Sequence, residues 1–157
     1  MTNESMKKVF QTKLTDTSTT DLEGIGVLRF EGPRVFKWIK YEAGTGAVAA
    51  VAGNGVVYHG DDSVVLDTEA DVTSDYSDGT GIVAGVLQAV IADESFGWIQ
   101  IKGVAIVNLA LDSGADGNEL IVGTTDGAFA VRALATSMTA GVALDATAKI
   151  ILLDCPW

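Results

Sequence analysis

The sequence predicts an all-β protein: a small single-domain β-barrel or sandwich over residues 24–157, preceded by an extended N-terminal arm over residues 1–23. Three observations carry that expectation. Of the 157 residues 48% are apolar, glycine occurs 18 times and proline only twice, which suits a real core built from many short strands and tight turns. The stretch from Gly97 to Leu111 alternates as a strand does, with Ile99, Ile101, Ala105, Val107, Leu109 and Leu111 on one apolar face. Successive strand residues point to opposite sides, so that face is expected in the core. Clusters of Gly, Asp and Asn also recur between the apolar runs, where they supply turns.

The arm is polar, and Val9, Phe10 and Leu14 are almost its only large apolar residues before Leu22. Such a segment buries too little to order by itself. Two readings stand: a frayed tail, or an arm that orders on a partner with Phe10 as an anchor and Lys7, Lys8 and Lys13 meeting acidic groups. The folded part opens at Gly24. After the Gly32-Pro33 turn, Arg34 to Tyr41 alternates, with Val35, Lys37, Ile39 and Tyr41 opposite Phe36, Trp38 and Lys40. Both sides carry large apolar groups, so neither is expected to be simply wet.

Residues 42–46 read as a loop and 47–52 as a tight strand or a short helical turn. Val56 to His59 and Ser63 to Thr68 read as strands, and 70–81 as an Asp-rich loop. Residues 82–92 read as a buried strand, which Asp93–Gly97 turns antiparallel into the Trp98 strand. Beyond Leu111 the pattern gives a turn at 112–118, a strand from Glu119, a hairpin with Asp126-Gly127 at its tip, and strands at 129–134, 138–144 and 148–153. Gly103 marks a bulge or bend. The second face of the Trp98 strand, with Trp98, Val104 and Ile106, suggests cover by another strand or another subunit.

Charge bounds the partners. The formal charge is −11, and seven of the ten cations lie in the first forty positions, leaving an acidic body with only Lys102, Arg132 and Lys149 after Tyr41. That balance argues against nucleic acid, which needs cations against phosphate, and against anionic membrane. No run is long and apolar enough to span a bilayer and no export signal is visible, so synthesis in a cytosol is expected.

Catalytic and metal chemistry finds little support, and the sequence predicts neither an enzyme nor a cofactor. A triad needs an oriented base, and the single histidine, His59, sits at a strand end beside Gly60, where a rim residue is expected. Cys155 is the lone cysteine, so it offers neither an intrachain disulfide nor a cysteine zinc site. Asp112 to Glu119 lacks the EF-hand spacing, and Gly44-Thr-Gly46 and Gly53-Asn-Gly55 lack the Lys-Ser/Thr of a phosphate loop. Trp38, Tyr41, Tyr58, Phe96, Trp98 and Trp157 would serve a core or a subunit contact, or stack a sugar.

The blocks Arg34-Val-Phe-Lys-Trp-Ile-Lys, Ile82-Val-Ala-Gly-Val, Gly97-Trp-Ile-Gln-Ile-Lys-Gly-Val-Ala, Gly123-Thr-Thr-Asp-Gly-Ala and Gly141-Val-Ala-Leu, in that order, resemble the capsid decoration, or cement, proteins of tailed bacteriophages. The resemblance spans residues 24–153. It implies a β-rich structural protein of the virion, made in the host bacterial cytoplasm and bound to the capsid exterior as a homotrimer that reinforces junctions of the major capsid protein. Under that implication the capsid-binding arm would use Lys7, Lys8, Phe10, Lys13 and Leu14, and the subunit interface Phe36, Trp38, Trp98, Val104 and Ile106. A phage tail, baseplate or spike component, a carbohydrate-binding β module and a small carboxylate hydrolase are the competing readings.

Overall fold

The alternation in the middle of the chain becomes the longest strand of a ten-stranded sheet, seen in a computed structural model that describes residues 8–59, 71–133 and 137–156. In chain order the strands are β1 (Leu28–Glu31), β2 (Arg34–Tyr41), β3 (Gly55–His59), β4 (Asp71–Thr73), β5 (Gly79–Leu87), β6 (Ser95–Ile106), β7 (Glu119–Val122), β8 (Phe129–Val131), β9 (Gly141–Asp145) and β10 (Ile150–Asp154). No helix occurs among the described residues.

β2 pairs with β4 in parallel, β4 with β3, β3 with β5, β5 with β6, and β6 with β2 again, so five strands form a closed circuit of pairings. β1 adds to β2, and β10, β9, β7 and β8 extend from β6 in that order. One face of β2 and β6 supplies the main core: Val35, Ile39 and Tyr41 meet Ile99, Ile101, Ala105 and Val107, with Val56, Val83, Leu87, Leu120, Phe129, Ile151 and Leu153 from the other strands. The alternation predicts this inward set, including its passage through Gly103.

Gly103 is where β6 changes neighbours. Its φ of 93° is open to glycine at little cost. A Cβ there would stand 2.8 Å from the Pro33 carbonyl oxygen, so a side chain would push β6 off the β2 turn. The pairing with β2 stops at Lys102, and β10 pairs along Lys102–Ile106.

Three expectations are corrected. Residues 47–52 form neither a strand nor a helical turn of any length: Gly44 and Ala47 take positive φ and the segment continues as irregular chain. The expected loop at 70–81 contains β4 and the start of β5, because three residues and a glycine-rich strand end carry too little apolar signal to be seen as strand. The strand expected over 82–92 ends at Leu87, and Val90 beyond it is exposed. The strand expected at Ser63 to Thr68 lies outside the described residues.

Candidate interaction surface

The second face of β2 and β6 carries Phe36, Trp38 and Trp98, all with no exposed surface. Two indoles cannot be buried cheaply unless each N–H finds an acceptor. Residues 8–23 provide both acceptors and part of the cover. Phe10, Leu14, Val27 and Phe96 close over the three rings, with Phe10 edge-on to Trp98 at a centroid distance of 5.5 Å. Trp98 Nε1 donates to Thr12 Oγ1 at 2.9 Å, and Trp38 Nε1 donates to Asp21 Oδ1 at 2.9 Å.

This strap is fastened at both ends. The Glu23 carboxylate is buried, and its Oε1 accepts from the Gln11 and Thr12 amides, both at 2.7 Å, and from Thr12 Oγ1 at 2.8 Å. Arg29 donates to the Thr12 carbonyl at 2.8 Å and stacks over Phe10. Ser18 and Phe96 exchange two backbone hydrogen bonds. Lys8 donates to the Glu23 carbonyl and lies over the Phe10 ring.

The candidate arm residues are therefore distributed as follows. Phe10 and Leu14 pack on the chain's own sheet and Lys8 is tied to Glu23, while Lys13 is exposed and Lys7 lies outside the described residues. The arm expected to stand apart from the domain is, over residues 8–23, folded onto it. For the expected subunit interface, Phe36, Trp38 and Trp98 are covered by the same chain and offer no surface to a neighbour. Val104 and Ile106 do, at 50% and 69% exposure. The sequence held a signal for the strap: two tryptophans on an outward-facing side need acceptors, and Thr12 lies between the apolar anchors Phe10 and Leu14 with Asp21 beyond them.

Val104 and Ile106 belong to an apolar stripe. Across the β6–β10 ladder Val104 stands opposite Leu152 and Ile106 opposite Ile150. Leu152 in turn faces Val142 of β9. With Leu144 and Leu152 also exposed, the outer side of β6, β10 and β9 presents branched aliphatic side chains from three adjacent strands.

The groups of possible chemistry are built into the structure differently. His59 Nδ1 lies 3.5 Å from Glu42, which also meets Lys40 at 3.2 Å. A hydrogen bond to Glu94 chiefly holds the Lys40 ammonium far above its ordinary range, against the opposing effect of burial. Cys155 is buried with its thiol pushed up to about 12 by desolvation, so it is a packing group here rather than a thiolate nucleophile. Asp75 is buried, accepts from Ser77 Oγ at 2.6 Å and the Gly46 amide at 2.8 Å, and so pins the 44–47 turn. Among the described residues no group of three or more His, Cys, Asp or Glu side chains converges as a metal site would require. Comparison with protein-family models, curated proteins and solved structures gives no match.

Proposed function

We propose that this protein is a structural virion component: it binds the outer surface of a tailed-phage capsid as a homotrimer, in contact with the major capsid protein, and stabilises the assembled shell. The closed circuit of five strands is then the small barrel that the sequence suggests. The observation that supports the reading most is the aliphatic stripe of Val104, Ile106, Leu144 and Leu152 on an otherwise acidic chain. Exposed apolar side chains in one contiguous patch mark contact surfaces, and the charge of −11 disfavours association anywhere else. A ligand of the assembled lattice stabilises it by mass action, and a trimer multiplies a weak contact through avidity.

The test has two parts. Sedimentation of the purified protein should give about three times the 16.3 kDa chain mass, and Ile106→Glu should return it to a monomer without unfolding. Empty capsids of the phage that encodes it should then pull the trimer down in hundreds of copies per particle. A protein that stays monomeric at all concentrations and leaves such shells bare would refute the reading, and a copy number of only a few would favour a tail or baseplate position.

A further inference from the structure

Among the described residues, no strand pairs with one edge of the distal half of β6. Residues 103–106 pair with β10, whereas the ladder to β2 ends at Lys102 and that to β5 ends at Gln100. The Val107 amide donates to the Lys149 carbonyl at 2.9 Å and the Cys155 amide to the Ile101 carbonyl at 3.0 Å, so the odd-numbered residues face β10. Antiparallel pairing then turns the backbone groups of Lys102, Val104 and Ile106 to the other side. The Asn108 amide, next in that series, donates to the Gly53 carbonyl at 2.8 Å. Between these two anchored ends the carbonyls of Lys102 and Val104 accept from Gln100 Nε2, at 3.1 and 2.9 Å. The Val104 N–H and both polar groups of Ile106 are directed into the gap.

A cleft of about 620 Å³ opens along this edge, walled by Gly53, Leu87, Gln88 and Asn108, with Arg34 and Lys149 also lining it. Its charge is the reverse of the molecule's. Among the described residues, two basic side chains, Arg34 and Lys149, line it and no Asp or Glu does. Arg34 lies against Gly103 at one end, its guanidinium 3.9 Å from the Glu31 carboxylate and over the Phe36 ring, and Lys149 pairs with Val107 at the other, its Nζ donating to the Asn108 carbonyl at 2.7 Å, so an incoming carboxylate would share each cation with a partner already present. Four residues of strand separate those positions, about 13 Å at 3.3 Å per residue.

We propose that this edge receives an extended acidic peptide segment from another protein, added as a strand beside Val104 and Ile106. The segment carries two carboxylates four residues apart. That spacing puts both on one face of a strand, one for Arg34 and one for Lys149. An open edge is a template for an incoming strand, with main-chain bonds giving affinity and the flanking side chains giving selectivity. Val104 and Ile106 line the cleft as well as belonging to the aliphatic stripe, so an added strand and a subunit contact through the stripe would compete for them. The inference goes beyond the shell reading and needs neither a capsid nor a trimer.

The probe is a capped peptide of about seven residues, long enough to span the cleft: threonine throughout, except glutamate at its second and sixth positions and valine at its fourth. Titrated into the full-length protein and followed by amide NMR, it should shift the Val104, Ile106 and Gln100 signals. It should bind at least about tenfold more tightly than the same peptide with lysine for glutamate, the two swapped charges each counting as an exposed pair. Arg34→Gln and Lys149→Gln should each weaken it about two- to fivefold. Methylating the peptide nitrogens along one edge should abolish binding, while methylating the opposite edge should leave it intact, since only one edge meets β6. Equal binding of the glutamate and lysine peptides, or of the two methylated isomers, overturns the proposal. So does no shift at about 1 mM peptide. So does a shift of the Val104 and Ile106 amides with protein concentration alone that excludes the peptide, which would assign the edge to a second copy of this chain.

Discussion

Glu23→Ala should unfasten the strap and uncover the tryptophans. One carboxylate oxygen of Glu23 holds the Gln11 amide, the Thr12 amide and the Thr12 hydroxyl, all within 2.8 Å, in a buried position. A hydrogen bond to a charged group is worth about 1.5–3 kcal/mol, but three on one oxygen do not add in full. The variant also leaves two amides near the cluster in need of water. We expect a loss of about 3 kcal/mol, a sizeable part of the 5–15 kcal/mol or so that holds a domain. With a urea slope of about 2 kcal/mol/M, the midpoint falls by about 1.5 M. Thr12 would drift with the strap, so the Trp98 N–H would lose its acceptor and the emission of Trp38 and Trp98 should move to the red at low urea, ahead of the main transition. Asp16→Ala serves as the control: its carboxylate only caps the exposed Lys13 turn, and the change should stay within about 0.5 kcal/mol. A midpoint loss no larger than that of the control, or an unchanged emission spectrum in Glu23→Ala, would refute the reasoning.

Other consequences can be checked on the same protein. The Ser77 hydroxyl bond chiefly holds the Asp75 carboxyl below its ordinary value, with the Gly46, Ser77 and Asp78 amides assisting against desolvation. A folded-state value lowered in this way adds stability that is present above the unfolded value and lost as pH falls through the folded one, so Asp75→Asn should flatten the stability profile below about pH 4 in acid titrations followed by circular dichroism. Cys155, with its thiol raised to about 12, should resist an aromatic disulfide reagent at pH 8 in the native state and react at once in denaturant; rapid native labelling would contradict its burial. Gly103→Val places a branched side chain against the Pro33 carbonyl at a positive φ and should cost about 2–4 kcal/mol in urea denaturation, whereas Ile106→Ser at an exposed site should cost under about 1 kcal/mol.

The inward face of the fold was legible because it depends on alternation. β2 has the bounds that the pattern gives, and its Val35, Ile39 and Tyr41 enter the core as the parity requires. Elements that depend on tertiary support were not legible. β4 has three residues, and its sides are set by β2 and β3 rather than by its own sequence. Residues 88–92 look like strand by composition, but the Gln88 amide bonds to the Trp98 carbonyl and the chain then leaves the ladder, so Ala89 and Ile91 are buried in irregular backbone. The strap was missed for a similar reason. Its hold comes from a buried carboxylate, a threonine and an aspartate, residue types that mark solvent or turns when only composition is weighed.

The two halves of β6 differ in how much of them the molecule itself consumes. From Ser95 to Lys102 the strand uses β2 along one edge, meets β5 on the other, buries Ile99 and Ile101 in the core and has its outer indole sealed by residues 8–23. From Gly103 to Ile106 it uses β10 on one edge and the core on one face, and the described residues leave the other edge and face uncovered. A glycine at the changeover is what permits this, since the Pro33 turn crosses so close that no side chain fits. The sequence alternates across both halves alike, so pattern alone assigns Trp98, Val104 and Ile106 to one contact surface. The strap splits them: Trp98 is buried by this chain's own residues, and the contacts proposed above fall to Val104, Ile106 and the cations near their edge. Capsid or peptide binding should therefore survive Phe10→Ala at temperatures where the variant is folded, and fail in an Arg34→Gln, Ile106→Glu pair that keeps full stability. The opposite pattern would move the contact to the strap.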